Sequence, residues 1–218
     1  MTTGPKISSR HTRAVAGAST TVGRTTQPSP NSPVQIFPRS GPDRERFGYR
    51  HIRFCVCPAI PGPVEGLRLT TAQPDDLAEL LVLQRCCWVQ EALANDTLDL
   101  QPLRETLDDL RASMSTWHLW CVRRHGRLVA AVRARAHERA WLIGRLMVAP
   151  DQAGNGIGSW LLSCVEQQAP EETTHCELFT GHRSTRNIKL YERAGYALTA
   201  AGTSDGSVYL TKQRQLTA

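Results

Sequence analysis

No acidic side chain occurs before Asp43 in this 218-residue chain, and residues 1–63 carry nine Lys or Arg against two Asp or Glu. That stretch is rich in Ser, Thr, Pro, Gly and Arg and has no apolar period, so it cannot build a core, and a disordered basic N-terminal tail is expected over 1–63. The net charge of +6 and the pI near 9.2 belong to that tail. Residues 64–218 hold 17 basic and 18 acidic side chains, too even a balance to suggest a nucleic-acid surface. A basic nucleic-acid arm, an organellar transit peptide and an over-extended translation start are open readings of the tail, beside a solvated segment without function. No apolar run reaches the ~18–20 residues of a membrane span, and no signal-peptide core follows Met1, so a soluble protein with no membrane partner is expected. The seven cysteines, Cys55, Cys57, Cys86, Cys87, Cys121, Cys164 and Cys176, include no C-x-x-C pair and no His spacing suited to zinc. Neither a metal site nor a disulfide framework is expected. Cys121 and Cys164 fall at core positions, and a reducing, cytoplasmic compartment follows.

What the chain does have is a strand, a glycine-rich loop and a helix between Trp141 and Pro170. The run Trp141-Leu142-Ile143-Gly144-Arg145-Leu146-Met147-Val148 ends at Ala149-Pro150. After Gly154-Asn155-Gly156-Ile157-Gly158, the residues Ile157, Trp160, Leu161, Cys164 and Val165 recur at i, i+3, i+4, i+7 and i+8. Three alternate glycines permit positive φ and close approach to the main chain. A helix start adds unpaired N–H donors and the positive end of the macrodipole, so a phosphate or pyrophosphate is the natural guest. A dinucleotide fingerprint is a poor match, since its third glycine would fall on Ser159 or Leu161. A Walker loop is excluded, because the only lysines are Lys6, Lys189 and Lys212.

The pattern Val148-x-Pro150-(x)3-Gly154-x-Gly156-Ile157-Gly158 resembles the acyl-CoA-binding motif of the GCN5-related N-acetyltransferase (GNAT) family. Where that family usually has Gln or Arg before the first glycine, this chain has Ala153, with Gln152 one place earlier. Downstream, Ser184 is placed to cap a short helix that Gly195 ends, with Asn187 and Tyr191 at i and i+4 on one face. This resembles the family's second signature, an Asn opening the last helix and a Tyr four residues on, and the two signatures stand in family order. The resemblance covers roughly residues 65 to 213.

It implies an α+β GNAT-type fold over a domain at 64–218: a mixed, mostly antiparallel sheet with flanking helices and a splayed parallel strand pair. The remaining elements suit it. Leu67–Thr70 reads as a strand, and Pro74-Asp75-Asp76 opens a helix whose buried face holds Leu77, Leu80, Leu81 and Trp88. A second helix after Pro102 is expected through Leu103, Leu107, Leu110 and Met114. Trp117–Val122 and Leu128–His137 form a hairpin, with Arg133, Arg135 and His137 on one face, either turned to solvent or lining an acceptor groove. His175–Thr180 makes the parallel partner of Trp141–Val148, and Leu198 and Val208–Leu210 form a hairpin around Gly202–Gly206.

The resemblance further implies acetyl-CoA as acyl donor, without a metal. The N–H groups of Gly154, Asn155, Gly156, Ile157, Gly158 and Ser159 hold the pyrophosphate, Met147 and Val148 pair with the pantetheine arm, and Asn187 belongs to the same site. The reaction implied is direct transfer of the acetyl group to a small-molecule or peptide amine, with Tyr191 as the acid that protonates the leaving thiolate. The strand before the cradle lacks the Glu that family members often use as a base. His137, Glu138, His175 and Glu177 are candidates by type, as is water, and Asp96 and Asp99 lie in the loop that helps shape the acceptor site. A non-catalytic CoA-binding or sensing domain is the alternative, with a nucleic-acid-binding protein acting through the tail behind it. The acceptor and the oligomeric state, a homodimer included, stay open.

Overall fold

The computed structural model describes residues 62–199 and 206–215. The expected tail, apart from its last two residues, lies outside the described residues, as do Cys55, Cys57 and positions 202–205 of the last turn. Strand β1 (Leu67–Thr71) leads through a 3-10 turn at Pro74–Asp76 into helix α1 (Leu77–Ala94), and two short helices follow, α2 (Gln101–Arg104) and α3 (Leu107–Ser113). The single helix expected after Pro102 is therefore two. Glu105 turns extended (ψ 134°) and Thr106 caps α3 by accepting from the Asp109 N–H, while the Asp109 carboxylate accepts from the Thr106 N–H. That reciprocal cap outweighs the continuous apolar period.

The meander follows as β2 (His118–Arg124), β3 (Arg127–His137) and β4 (Ala140–Val148), then α4 (Ile157–Glu166), β5 (His175–Gly181), α5 (Thr185–Arg193), β6 (Ala197–Leu198) and β7 (Ser207–Gln213). The β2–β3 turn has positive φ at His125 and Gly126, the two-residue turn whose twist suits a hairpin. One seven-stranded sheet runs β1-β2-β3-β4-β5-β7-β6, so β7 inserts between β5 and β6. All its pairings are antiparallel except β4 with β5.

The sheet carries a core on each face. Trp141, Ile143, Leu161, Leu162, Val165 and Tyr191 fill one side beneath α4 and α5; Leu77, Leu80, Leu110, Cys121, Ala131 and Met147 fill the other beneath α1 and α3. Trp141 is fully buried and donates its indole N–H to the Val165 carbonyl at 2.9 Å, which pins α4 to the sheet. Cys121 and Cys164 are buried core residues, as expected. Arg123 ties the start of α1 to β2 by reaching Asp76 and Glu79, each at 2.7 Å. Burial alone would raise the Asp76 carboxyl, but hydrogen bonds from the Gln73 N–H and Arg123 outweigh it and hold the group below the usual range.

Candidate active site

The parallel strands part company early. Registered pairs run only from Ala140↔His175 to Leu142↔Glu177, while β4 continues to Val148 and β5 to Gly181, the latter paired throughout with β7. The result is a gap whose β4 edge is Ile143–Val148, with Met147 and Val148 at its mouth. A bulge shapes that edge: β3 pairs Arg133 with Gly144 and Ala131 with Met147, so Arg145 and Leu146 together oppose Val132, and Arg145 takes φ +52°. A left-handed arginine costs conformational energy and turns main-chain groups away from the ladder, here at the widening of the gap.

Beyond the gap the glycine loop is open. Gly154 and Gly156 have φ of +88° and +76°, which L side chains rarely adopt, and a Cβ on Gly154 would meet nothing within 4 Å. Gly156 is the N-cap of α4 with no side-chain cap, and the Trp160 N–H, bonded to the Gly156 carbonyl at 3.0 Å, is the first to close the helical ladder. The Ile157, Gly158 and Ser159 N–H groups precede it, in the position from which a helix start presents donors to an anion. Asn155 is exposed in the same loop, while the Ile157 side chain is buried and anchors it. Gln152 points elsewhere: its amide meets Arg124 at 3.2 Å and Asp151 at 3.0 Å, toward the β2–β3 hairpin. Pro63 lies beside Gly156.

The opposite wall comes from α5. Gly195 (φ +90°) ends it, with the Gly195 N–H on the Glu192 carbonyl and the Tyr196 N–H on the Tyr191 carbonyl, both at 3.0 Å, a Schellman closure. Ser184 stands at the N-cap position, but its side chain caps nothing in the helix; its hydroxyl instead donates to Glu91 of α1. Glu91 Oε2 also accepts from Asn187 Nδ2 at 3.1 Å, and Oε1 from Thr180 Oγ1 at 3.3 Å. Asn95, the C-cap of α1, donates to Ser184 Oγ at 2.9 Å and accepts from the Arg183 N–H at 3.3 Å. Tyr191 is 8% exposed, edge-on to Tyr196 with ring centroids 6.1 Å apart. Burial, with the Glu91 charge adding to it, holds its phenol well above the usual range, so the hydroxyl is protonated at neutral pH.

The sequence offered no carboxylate here, and the structure brings one from 96 residues away. Gln84, Cys87, Trp88, Glu91 and Asn95 make a polar-and-aromatic stripe at three- and four-residue spacing along α1, a pattern hidden by Val82, Val89 and Leu93 exposed on its other side. Cys87 donates its thiol to the Val148 carbonyl at 3.3 Å, and burial, then the neighbouring Cys86, pushes it up to about 11, so it is no thiolate nucleophile. The bases proposed by residue type lie elsewhere. His137 and Glu138 sit at the exposed β3–β4 turn; His175 and Glu177 pair with each other at 2.9 Å at the closed end of the parallel strands. Asp99 pairs with Arg104 at 2.9 Å, and Asp96 is an exposed residue of the loop with φ +54°.

A second polar group lies under α2 and α3. Arg133, whose face was open between solvent and a groove, is half-buried over the Trp117 ring (4.5 Å), and Arg145 lies over Trp88 (5.1 Å). Glu105 is between them, buried, accepting from Gln84 Nε2 at 2.7 Å and from Arg145 at 3.4 Å. Burial, then the Arg145 charge, pulls the Arg133 guanidinium down to about 9, which still leaves it charged at neutral pH.

Residues 78–196 match the sequence profile of the acetyltransferase (GNAT) family. Among solved structures, similar folds include the PaiA N-acetyltransferase of Thermoplasma acidophilum in complex with coenzyme A, 15% identical, TM-score 0.58, covering 68% of this chain and 99% of that one. An acetyltransferase from Streptococcus agalactiae is 17% identical, TM-score 0.58, over 69% of this chain and 100% of that one. The GNAT domain of S. lividans PAT is 18% identical, TM-score 0.57, over 68% and 90%. At these identities the likeness concerns the fold. Among curated proteins none matches this chain. No group of three His, Cys, Asp or Glu side chains suited to a metal occurs among the described residues, and no described helix is long and apolar enough to cross a membrane.

Proposed function

We propose, from the premise that this chain belongs to the GNAT family of acetyltransferases, that it moves an acetyl group from acetyl-CoA directly to the amine of an acceptor. The observation that carries this reading is the gap between β4 and β5, which opens beside the uncapped start of α4 on one side and the Glu91–Asn187–Tyr191 group on the other. The residues present fit the donor. The N–H groups of Gly154 to Ser159 would hold the pyrophosphate, and the main chain at Met147 and Val148 would pair with the pantetheine arm. Asn187, tied to Glu91, would border the thioester. Bound there, acetyl-CoA supplies an activated acyl group.

The protein's own part is positioning and proton traffic. With the donor bound, a main-chain N–H of the bulge at Arg145–Leu146 would polarise the thioester carbonyl, where negative charge develops. Glu91 takes the proton that the attacking amine loses, directly or through one water, and Tyr191 gives its proton to the departing sulfur. The two steps assist each other: once Glu91 is neutralised, the charge that helped hold the Tyr191 phenol high is gone, and the hydroxyl becomes a better acid as the thiolate forms. The non-catalytic reading leans on the carboxylate missing from the strand before the cradle, and Glu91 supplies a candidate from α1 in its place. Release of free CoA from acetyl-CoA, measured against a panel of amines, amino acids, peptides and aminoglycosides, tests the proposal. Tight acetyl-CoA binding with no release above hydrolysis for any acceptor would favour the sensing domain.

The domain boundary belongs to the same proposal. A chain starting at Val64 is expected to fold, bind acetyl-CoA and keep its turnover, because residues 1–63 supply no periodic apolar face. Such a chain lacks Pro63, whose ring lies beside Gly156, and the cradle keeps its shape through the buried Ile157 side chain. Limited trypsin digestion checks the boundary: protection of sites between Arg10 and Arg53 would show the tail packed on the domain.

A further inference from the structure

A cavity of about 510 Å³ opens between α2, α3 and β3, lined by Gln101, Arg104, Glu105, Asp109, Trp117 and Arg133 among others. Its size is that of a small-ligand site. Its charges are unevenly satisfied. Asp109 is committed to the Thr106 cap at 2.7 and 2.9 Å, and Arg104 to Asp99 at 2.9 Å. Glu105, its side chain 6% exposed, serves Gln84 and Arg145 first and stands 3.8 Å from Arg133, beyond hydrogen-bond reach. Among the described residues the Arg133 side chain, 13% exposed, has only that long ion pair and the Trp117 ring for company, and its Nε has no hydrogen-bond partner. Two largely desolvated guanidinium groups thus share one buried carboxylate, and a desolvated charge that is only partly paired is costly. Gly144 of β4 lies against the same group: a Cβ there would stand 3.7 Å from Arg133 Nε and 3.8 Å from the Trp117 ring, ordinary contacts.

We infer that this cavity holds a carboxylate of the acceptor, so that the amine acetylated belongs to a molecule that also carries a carboxylate, with Arg133 as its principal partner. The inference rests on the acetyltransfer reading and names its substrate class. Arg133 is the guanidinium that Glu105 serves least, which suits a single carboxylate, and the carboxylates of Glu105 and Asp109 in the lining disfavour a phosphate dianion. A guanidinium fork pairs with a planar carboxylate through two N–H donors. Position supports the link to chemistry. Arg133 is paired with Gly144, next to the Arg145 bulge at the gap, and Arg145 packs on Trp88, three residues before Glu91 on α1.

The test compares amino acids and dipeptides with their C-terminal amides as acceptors, and in parallel the N-acetylated acids with N-acetylated amides as ligands, followed by tryptophan fluorescence in the presence of CoA. For every accepted amine the acid is expected to show a KM roughly 10- to 100-fold below its amide, the range of a charge-assisted hydrogen bond. Arg133→Met should abolish that difference, with the loss in the KM of the acid. Arg133→Lys, which keeps the charge but loses the planar two-pronged fork, should shrink that difference and carries the test should Arg133→Met fail to fold. Amides used as well as acids by the wild type would overturn the inference. If no amine is acetylated at all, the transfer reading fails, and the binding arm still decides the cavity. Quenching by N-acetyl acids and not by their amides, lost in Arg133→Met, supports a carboxylate site; equal response or none overturns it.

Discussion

Gly156→Val is expected to lower acetyl-CoA affinity by at least about 100-fold, since roughly 1.5 kcal/mol accompanies each charge-assisted hydrogen bond to the pyrophosphate and at least two are disturbed. Two effects combine. The residue has φ +76°, a region that a β-branched side chain occupies only with strain, so the loop must rearrange. The position is also the N-cap of α4, so rearrangement moves the donors at Ile157, Gly158 and Ser159. Gly158→Ala is the control: Gly158 has no positive φ, and its Cβ would meet Leu190 Cδ1 at 3.5 Å and Val148 Cγ2 at 3.6 Å, ordinary contacts, so binding should persist. Calorimetry with acetyl-CoA on folded protein separates the outcomes. Wild-type affinity in folded Gly156→Val would mean that the pyrophosphate does not sit at this loop.

Tyr191→Phe should cut turnover roughly 100-fold while acetyl-CoA affinity changes little, the signature of an interaction made mainly in the transition state. Phenylalanine keeps the ring contact with Tyr196, so the core should survive. Burial makes the Tyr191 phenol a weaker acid than a free one, which limits the effect. A thiolate leaving group, with a pKa near ~8.5 for cysteine, needs less help than an amine would. Glu91→Gln preserves shape and one acceptor oxygen but cannot take a proton, and should also lower turnover by about 100-fold. In the double variant the losses should fall short of adding, because the two groups act on one proton-transfer sequence. Unchanged turnover in Tyr191→Phe would leave protonation of sulfur to water. A Glu91→Gln variant that loses acetyl-CoA affinity along with turnover would assign the carboxylate to holding Ser184 and Asn187 in place.

Much of the backbone around the candidate site could be read from the chain because its constraints are local. Positive φ at Gly154, Gly156 and Gly195 follows from needs that glycine alone meets cheaply, and the face Ile157, Leu161, Cys164 and Val165 is a property of consecutive residues. The order strand, glycine loop, helix, parallel strand likewise follows from the crossover that a parallel pair requires. Local rules also misled where a stronger local rule competed, as when the Thr106–Asp109 cap broke a helix that periodicity would have continued.

What the tertiary structure decided is which distant side chains share a space. Glu91 meets Asn187 because α1 packs across the sheet and brings its last turns over the end of β5; no spacing within either segment encodes that approach. The left-handed turn at Arg145 arises from a register shift between β3 and β4, a property of the pair and not of either strand, so an arginine stands where sequence rules look for glycine. Arg133 alternates with its neighbours like any residue of a solvated strand. Only the placement of α2, α3 and Trp117 over it turned an exposed face into a cavity with an under-paired guanidinium. Hydrophobic periodicity specifies which face of an element is covered, whereas the identity of the cover depends on how the elements pack, and it is the cover that sets desolvation, charge balance and chemistry.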